Sequence, residues 1–139
     1  MVAYSFKRFF APQIVLGSKS QTVRANRKRH ARPGEELQLF QGMRTRNCRK
    51  IIDDPTCRAV SPIVLTFDSA GTGMDWIEIA GTSLDAAEME EFARKDGFDP
   101  AHVDLGGETA LENLVRFWTS EHGKLVQFEG VLIEWAPSP

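Results

Sequence analysis

The chain has 139 residues, 42% hydrophobic and 26% charged, the values of one ordinary globular domain over residues 1–139 and not of a disordered segment. No apolar run approaches the roughly 20 residues of a membrane helix, and the start MVAYSFKRFF has no long apolar stretch or small-residue cleavage site, so a cytoplasmic protein without membrane contact is expected. The net charge of −2 hides a strong asymmetry: residues 1–50 carry twelve Lys or Arg against two acids, while residues 51–139 carry five against seventeen.

In chain order, residues 2–6 read as a short strand and residues 9–16 as a short helix or turn that Gly17 can close in a left-handed conformation. Residues 19–24 start extended. Residues 27–32 form a basic loop that ends at the Pro33-Gly34 turn signal. Residues 36–41 alternate as a strand does, and Gly42 opens a second basic segment over 44–50. Residues 56–67 are strand-like, with Ile63, Leu65 and Phe67 on one face; Pro62, lacking an amide hydrogen, predicts a bulge or an edge there. Residues 68–73 are a turn. Residues 76–80 are a further strand, with Ile77 and Ile79 facing one way.

Two helices follow. Thr82 is the expected cap of the first, with Asp85 at the capping-box position, and the helix should run over residues 84–95 to Gly97. Thr109 and Glu112 form a second capping box. Behind them Leu111, Leu114, Val115 and Trp118 make one apolar stripe. Residues 126–135 are the clearest strand, apolar on both faces, which requires cover on both. Residues 136–139 read as a frayed tail. Strands at both ends with helices grouped late predict an α+β fold, a small barrel with two or three helices packed outside. Trp76, Trp118 and Trp135 fall on expected core faces, and Phe9, Phe10 and Phe40 read as core before they read as stacking platforms.

Cys48 and Cys57 do not have metal-site spacing, and the three histidines are scattered. Both cysteines read as reduced space-fillers, and no metal or cofactor is expected.

The chemistry-bearing stretch is Gly17-Ser18-Lys19-Ser20-Gln21-Thr22-Val23-Arg24. Lys19 offers a cation that can pair with phosphate, or lose its proton if desolvated. Thr22 offers a hydroxyl that needs a base to become a nucleophile. Arg24 offers a planar fork for phosphate or carboxylate. In an extended strand Thr22 and Arg24 share a face that Lys19 does not, so a turn after Gly17 is needed to unite them. Lys19 and Arg24 also read as ordinary surface charges, and Thr22 as a β-former. Arg27, Lys28, Arg29 and Arg32 read as a phosphate-tracking arm, a solvated loop or a nuclear-localisation look-alike, and Arg44, Arg46, Arg49 and Lys50 form a second basic cluster. Asp96-Gly97 ahead of Phe98 reads as a helix-ending turn.

This stretch resembles the signature of the ASCH family, Gly-x-Lys-x-x-Glu/Thr-x-Arg, at Gly17, Lys19, Thr22 and Arg24. Arg32-Pro33-Gly34-Glu35-Glu36, Asp96-Gly97-Phe98 and the closing Phe128 and Ile133-Glu134-Trp135 extend the likeness over nearly the whole chain. The resemblance implies a PUA-like pseudobarrel with a cleft beside the motif. It implies a partner that is RNA, another single-stranded nucleic acid, or a modified nucleoside, held by Lys19, Arg24 and the basic clusters. It also implies two alternatives: an amidohydrolase removing an N4-acyl group from cytidine, with Thr22, Lys19 and Asp96 as its working groups, or a ribonuclease. In the resembling amidohydrolases the acid is Glu; here it is Asp96, one methylene shorter. A basic third of this size suits a nucleic-acid binder better than an enzyme for free nucleosides.

Overall fold

Local signals set most of the elements, and the computed structural model describes them over residues 2–137. β1 (Val2–Phe6) buries every second residue, Val2, Tyr4 and Phe6. A 3-10 turn at Arg8–Phe10 leads into α1 (Ala11–Leu16), which has Pro12 in its first turn and Gly17 as its left-handed end, at φ 85°. β2 (Gln21–Ala25), β3 (Leu37–Gln41) and β4 (Arg49–Lys50) follow. Then come β5 (Cys57–Phe67), β6 (Met74–Ile79) and β7 (Thr82–Ser83). α2 (Ala86–Ala93) runs into a π-helical turn at Arg94–Phe98, and α3 (Ala110–His122) precedes β8 (Gln127–Trp135).

The strands make two sheets, ordered β1-β3-β4 and β2-β8-β5-β6-β7. β1 and β3 run parallel, and the long sheet is antiparallel throughout. The bridge between Glu36 and Thr56 joins β3's approach to β5's. The fold is therefore α+β, as expected, but the strands do not close into one barrel. β1 and β2 are both edge strands, and no backbone pairing zips them together among the described residues. One apolar cluster fills the space between the sheets and the helices. It includes Leu37 and Leu39 of β3, Ile63 and Leu65 of β5, Ile133 and Trp135 of β8, and Phe98, Leu114 and Trp118 from the helical side. β8 is covered on both faces over its second half, from Gly130 to Trp135, whereas Gln127 and Glu129 are exposed and Val126, expected in the strand, precedes it and is 69% exposed. No helix among the described residues is long and apolar enough to cross a membrane.

Several expectations are corrected. α2 is capped by Asp85, whose side chain accepts from Glu88 N while Glu88 accepts from Asp85 N; Thr82 instead pairs with Ile79 in β7. Thr109 caps α3, but Glu112 reaches back to Glu108 N, so the second box is half made. β5 is a central strand, and its irregularities fall at Cys57/Ala59 and Thr66/Phe67, not at Pro62. Pro62 is tolerated because its carbonyl accepts from Ala80 N just beyond the last β6 pair, so its missing donor faces the place where β6 has ended. Trp76 is 54% exposed, because it alternates with Ile77 and must face away from the core. Cys57 is buried, but Cys48 is exposed and fills no space. Ala136 N still bonds to Thr56 O, and the last two residues of the expected frayed tail lie outside the described residues.

Candidate functional site

The open seam between β1 and β2 carries a cleft of about 670 Å³. Lys19, Thr22 and Arg24 all line it, together with Asp96. The turn needed to unite them is made by Gly17 and by a hydrogen bond from Lys19 N to Gln13 O, which holds Lys19 just ahead of β2.

Arg24 takes the role that backbone pairing would have in a closed sheet. Its Nη2 donates to Ser5 O of β1 at 2.6 Å, and its Nε donates to Thr22 Oγ1 at 3.1 Å. The guanidinium lies 4.8 Å from the Phe6 ring centroid. Two of its five N–H donors are thus used within the protein, and no acceptor engages the other three among the described residues. Burial brings Arg24 down to about 10, still far above neutrality, so it stays charged.

Lys19 is 2% exposed and forms the cleft floor. Its Nζ donates to Asp96 O at 2.5 Å and lies 3.7 Å from Asp96 Oδ1. It also stands 4.5 Å from the Phe10 ring centroid. This contact belongs to a set. Asp96 O, Gly97 O and Phe98 O at the end of the π-helical turn accept from Lys19, Gln13 and Asn113 respectively. These three carbonyls at the helix end are thus met by side chains from elsewhere in the chain. Gly97 sits at φ 102°, and a methyl group there would lie 2.8 Å from the Phe10 ring and 3.0 Å from Lys19 Cδ. The Asp-Gly turn chemistry is therefore present, and the same turn delivers the Asp96 carboxylate into the cleft. Gln21 Nε2 steadies that carboxylate at 3.2 Å.

Burial sets the proton affinities. Desolvation lowers Lys19 to about 8, with attraction by Asp96 opposing the shift and repulsion by Arg24 adding to it. Desolvation raises Asp96, against the pull of Lys19. The lysine donates its hydrogen bond to the main-chain carbonyl of Asp96, while the Asp96 carboxylate stands at 3.7 Å, an ion-pair distance.

The basic clusters lie outside this cluster of buried groups. Lys28 and Arg32 are exposed. Arg29 pairs with Glu35. Arg27 bonds to Arg29 O and lies 4.7 Å from the Tyr4 ring centroid. The arm is anchored by His30, whose Nε2 is 2.8 Å from Ala25 O and whose Nδ1 is 2.9 Å from Tyr4 Oη. A carbonyl only accepts, so Nε2 carries the proton and Nδ1 accepts from Tyr4. None of Arg27, Lys28, Arg29 or Arg32 lines the cleft. The second loop borders it through Met43, Thr45 and Asn47, while Arg44 and Arg46 are exposed outside the lining.

Sequence reasoning missed Gln13 and Gln21, which position the turn and Asp96. It also missed the aromatic walls, which include Phe98, Phe117, Trp118 and Phe128. Phe10 and Trp118 are core residues as expected, yet they face the cleft as well. His122 also lines it, and the signal for it was available: it follows Trp118 by four residues and so shares its helix face. Among the described residues no group of three or more His, Cys, Asp or Glu side chains could hold a metal ion. No family model, curated protein or solved structure matches the chain, so the family likeness rests on the motif residues themselves.

Proposed function

We propose that the chain is a PUA-like domain of the ASCH type that binds single-stranded RNA, taking one unstacked base into the cleft. The observation that carries this reading is the cleft's composition. Four cations line it, Lys7, Arg8, Lys19 and Arg24, against two carboxylates, Asp96 and Glu121, and its walls are aromatic. Excess positive charge beside ring faces suits a phosphate joined to a base. Arg24's remaining donors are the phosphate or base-edge contact, and the exposed arms add affinity without sequence choice.

A second reading has its own support, since Lys19 titrates at about 8 in the same cleft as the Thr22 hydroxyl. In an N4-acylcytidine amidohydrolase, neutral Lys19 would take the Thr22 proton as the oxygen attacks the acyl carbon. The C–N bond would break as the leaving nitrogen receives that proton. Water would then cleave the threonyl ester, releasing the carboxylic acid and restoring the hydroxyl.

The pH dependence separates the two. Lys19 is charged below about pH 8 and neutral above it. Anion binding should therefore weaken as pH rises from about 7 to about 9, whereas deacylation should accelerate over the same range. The measurement is RNA affinity and N4-acetylcytidine turnover across that range, in wild type, Thr22→Ser and Thr22→Val. The expected result is RNA binding that declines above about pH 8 and persists in both variants. Turnover that rises through pH 8 and vanishes in Thr22→Val would replace the binder with the enzyme.

A further inference from the structure

The cleft has a second aromatic feature apart from the rings around Lys19. Near the end of α3, the Trp118 and His122 rings stack with centroids 4.7 Å apart and planes 30° apart. Phe128 of β8 completes the group, 4.5 Å from Trp118 and 6.5 Å from His122. All three residues line the same cleft as Arg24.

Exposure grades outward across this group: Trp118 is 6% exposed, Phe128 is half-buried and His122 is exposed. The inner ring is thus packed, and the outer one retains an open face. No hydrogen bond engages either His122 ring nitrogen among the described residues, so its ring contacts with Trp118 and Phe128 set the ring's plane. Glu121 beside it, a carboxylate that would repel phosphate, is paired with Lys7 at 3.0 Å.

Gly130 ties the group to the motif. A methyl group at residue 130 would sit 2.7 and 2.9 Å from Phe128 ring atoms and 2.2 Å from Arg24 O. Only a residue without a side chain lets the Phe128 ring lie over β8 where β8 meets the end of β2. The shelf and the motif strand are therefore packed around one point.

We propose that Trp118, His122 and Phe128 form a stacking shelf for the base adjacent to the one held near Lys19 and Arg24, so that the ligand is a single strand of at least two nucleotides. This rests on the RNA-binding reading. Base–aromatic stacking is sequence-tolerant, so the shelf adds affinity for a strand without selecting its sequence.

The test compares a six-nucleotide oligouridylate with uridine 5′-monophosphate, by anisotropy or calorimetry, on wild type, His122→Ala, His122→Lys and His122→Phe. Thermal unfolding of each variant checks the fold. His122→Ala and His122→Lys should weaken the oligonucleotide by roughly five- to a hundredfold more than they weaken the mononucleotide, while His122→Phe should bind the oligonucleotide as wild type does. His122→Lys places a cation at the helix end, so loss of binding there excludes a purely electrostatic role for residue 122. Equal oligonucleotide binding by all four proteins overturns the shelf and leaves the RNA-binding reading standing. Failure of wild type to bind the oligonucleotide overturns both.

Discussion

Lys19 and the arm carrying Arg27, Lys28 and Arg29 come from the same basic third, yet their charges live in opposite surroundings. Lys19 is enclosed, held by Asp96 and overlaid by Phe10, and its proton affinity falls accordingly. The arm lies in solvent, and two of its three cations are engaged on the surface, by Glu35 and by the Tyr4 ring. A count of positive charges treats these alike. The physics does not: a buried charge is fixed by geometry and is costly to orphan, whereas an exposed one is screened and replaceable.

The largest difference should appear in stability. Lys19→Met leaves Asp96 buried without its cation and removes the donor from the Asp96 carbonyl. Losing one partner of a buried pair typically costs about 3–5 kcal/mol. Arg27→Met should change stability by no more than about 0.5 kcal/mol. Urea unfolding of both variants measures the contrast. Adding Asp96→Leu to Lys19→Met should recover a large part of the loss, since both charges are then gone. Simple addition of the two single costs would mean that the pair is not coupled.

Two glycines sharpen the comparison at the backbone. Gly97 at φ 102° and Gly34 at φ 92° both occupy the left-handed region. A methyl group at Gly34 meets nothing within 4 Å, while at Gly97 it meets Phe10 and Lys19. Gly34→Ala should therefore cost only backbone strain, about 1 kcal/mol. Gly97→Ala adds overpacking and should cost about 2–4 kcal/mol. Equal costs would show that the site tolerates displacement of Phe10.

The same contrast explains what the sequence discloses. Strands and helices were legible because alternation, capping residues and glycine stops act over a few residues; β5, β8 and α3 follow directly from them. The motif was legible because Gly17, Lys19, Thr22 and Arg24 lie within one turn and one strand. What was not legible depends on contacts distant in the chain. Gln13 meets Gly97 O across 84 residues, and Lys19 meets Asp96 O across 77. Nothing local distinguishes a lysine that caps a distant carbonyl from one in water. The open seam was hidden for the same reason: whether β1 and β2 pair is decided by the register of other strands, and Arg24 bridges a gap that no local pattern announces. Trp76 was misplaced for a simpler reason, because alternation with Ile77 already put it outside.

The smallest effect should come from the arm. If Arg27, Lys28 and Arg29 each neutralise a phosphate, replacing all three with Ala should flatten the slope of log affinity against log salt by roughly two units on a single strand. Their contacts differ, and so should their shares. Arg29 must leave Glu35, and Arg27 must leave Arg29 O and the Tyr4 ring, before either can reach a phosphate without loss. Lys28 is exposed and has no such contact to give up among the described residues. Lys28→Ala alone should therefore remove roughly 0.7 units, the full share of one single-strand phosphate. Arg29→Ala should remove less, and a Glu35→Gln variant should strengthen binding slightly by releasing Arg29. Salt titrations of oligouridylate binding read each slope. A triple variant with the wild-type slope would make the arm a solvated loop and leave phosphate contact to the cleft and the second basic loop.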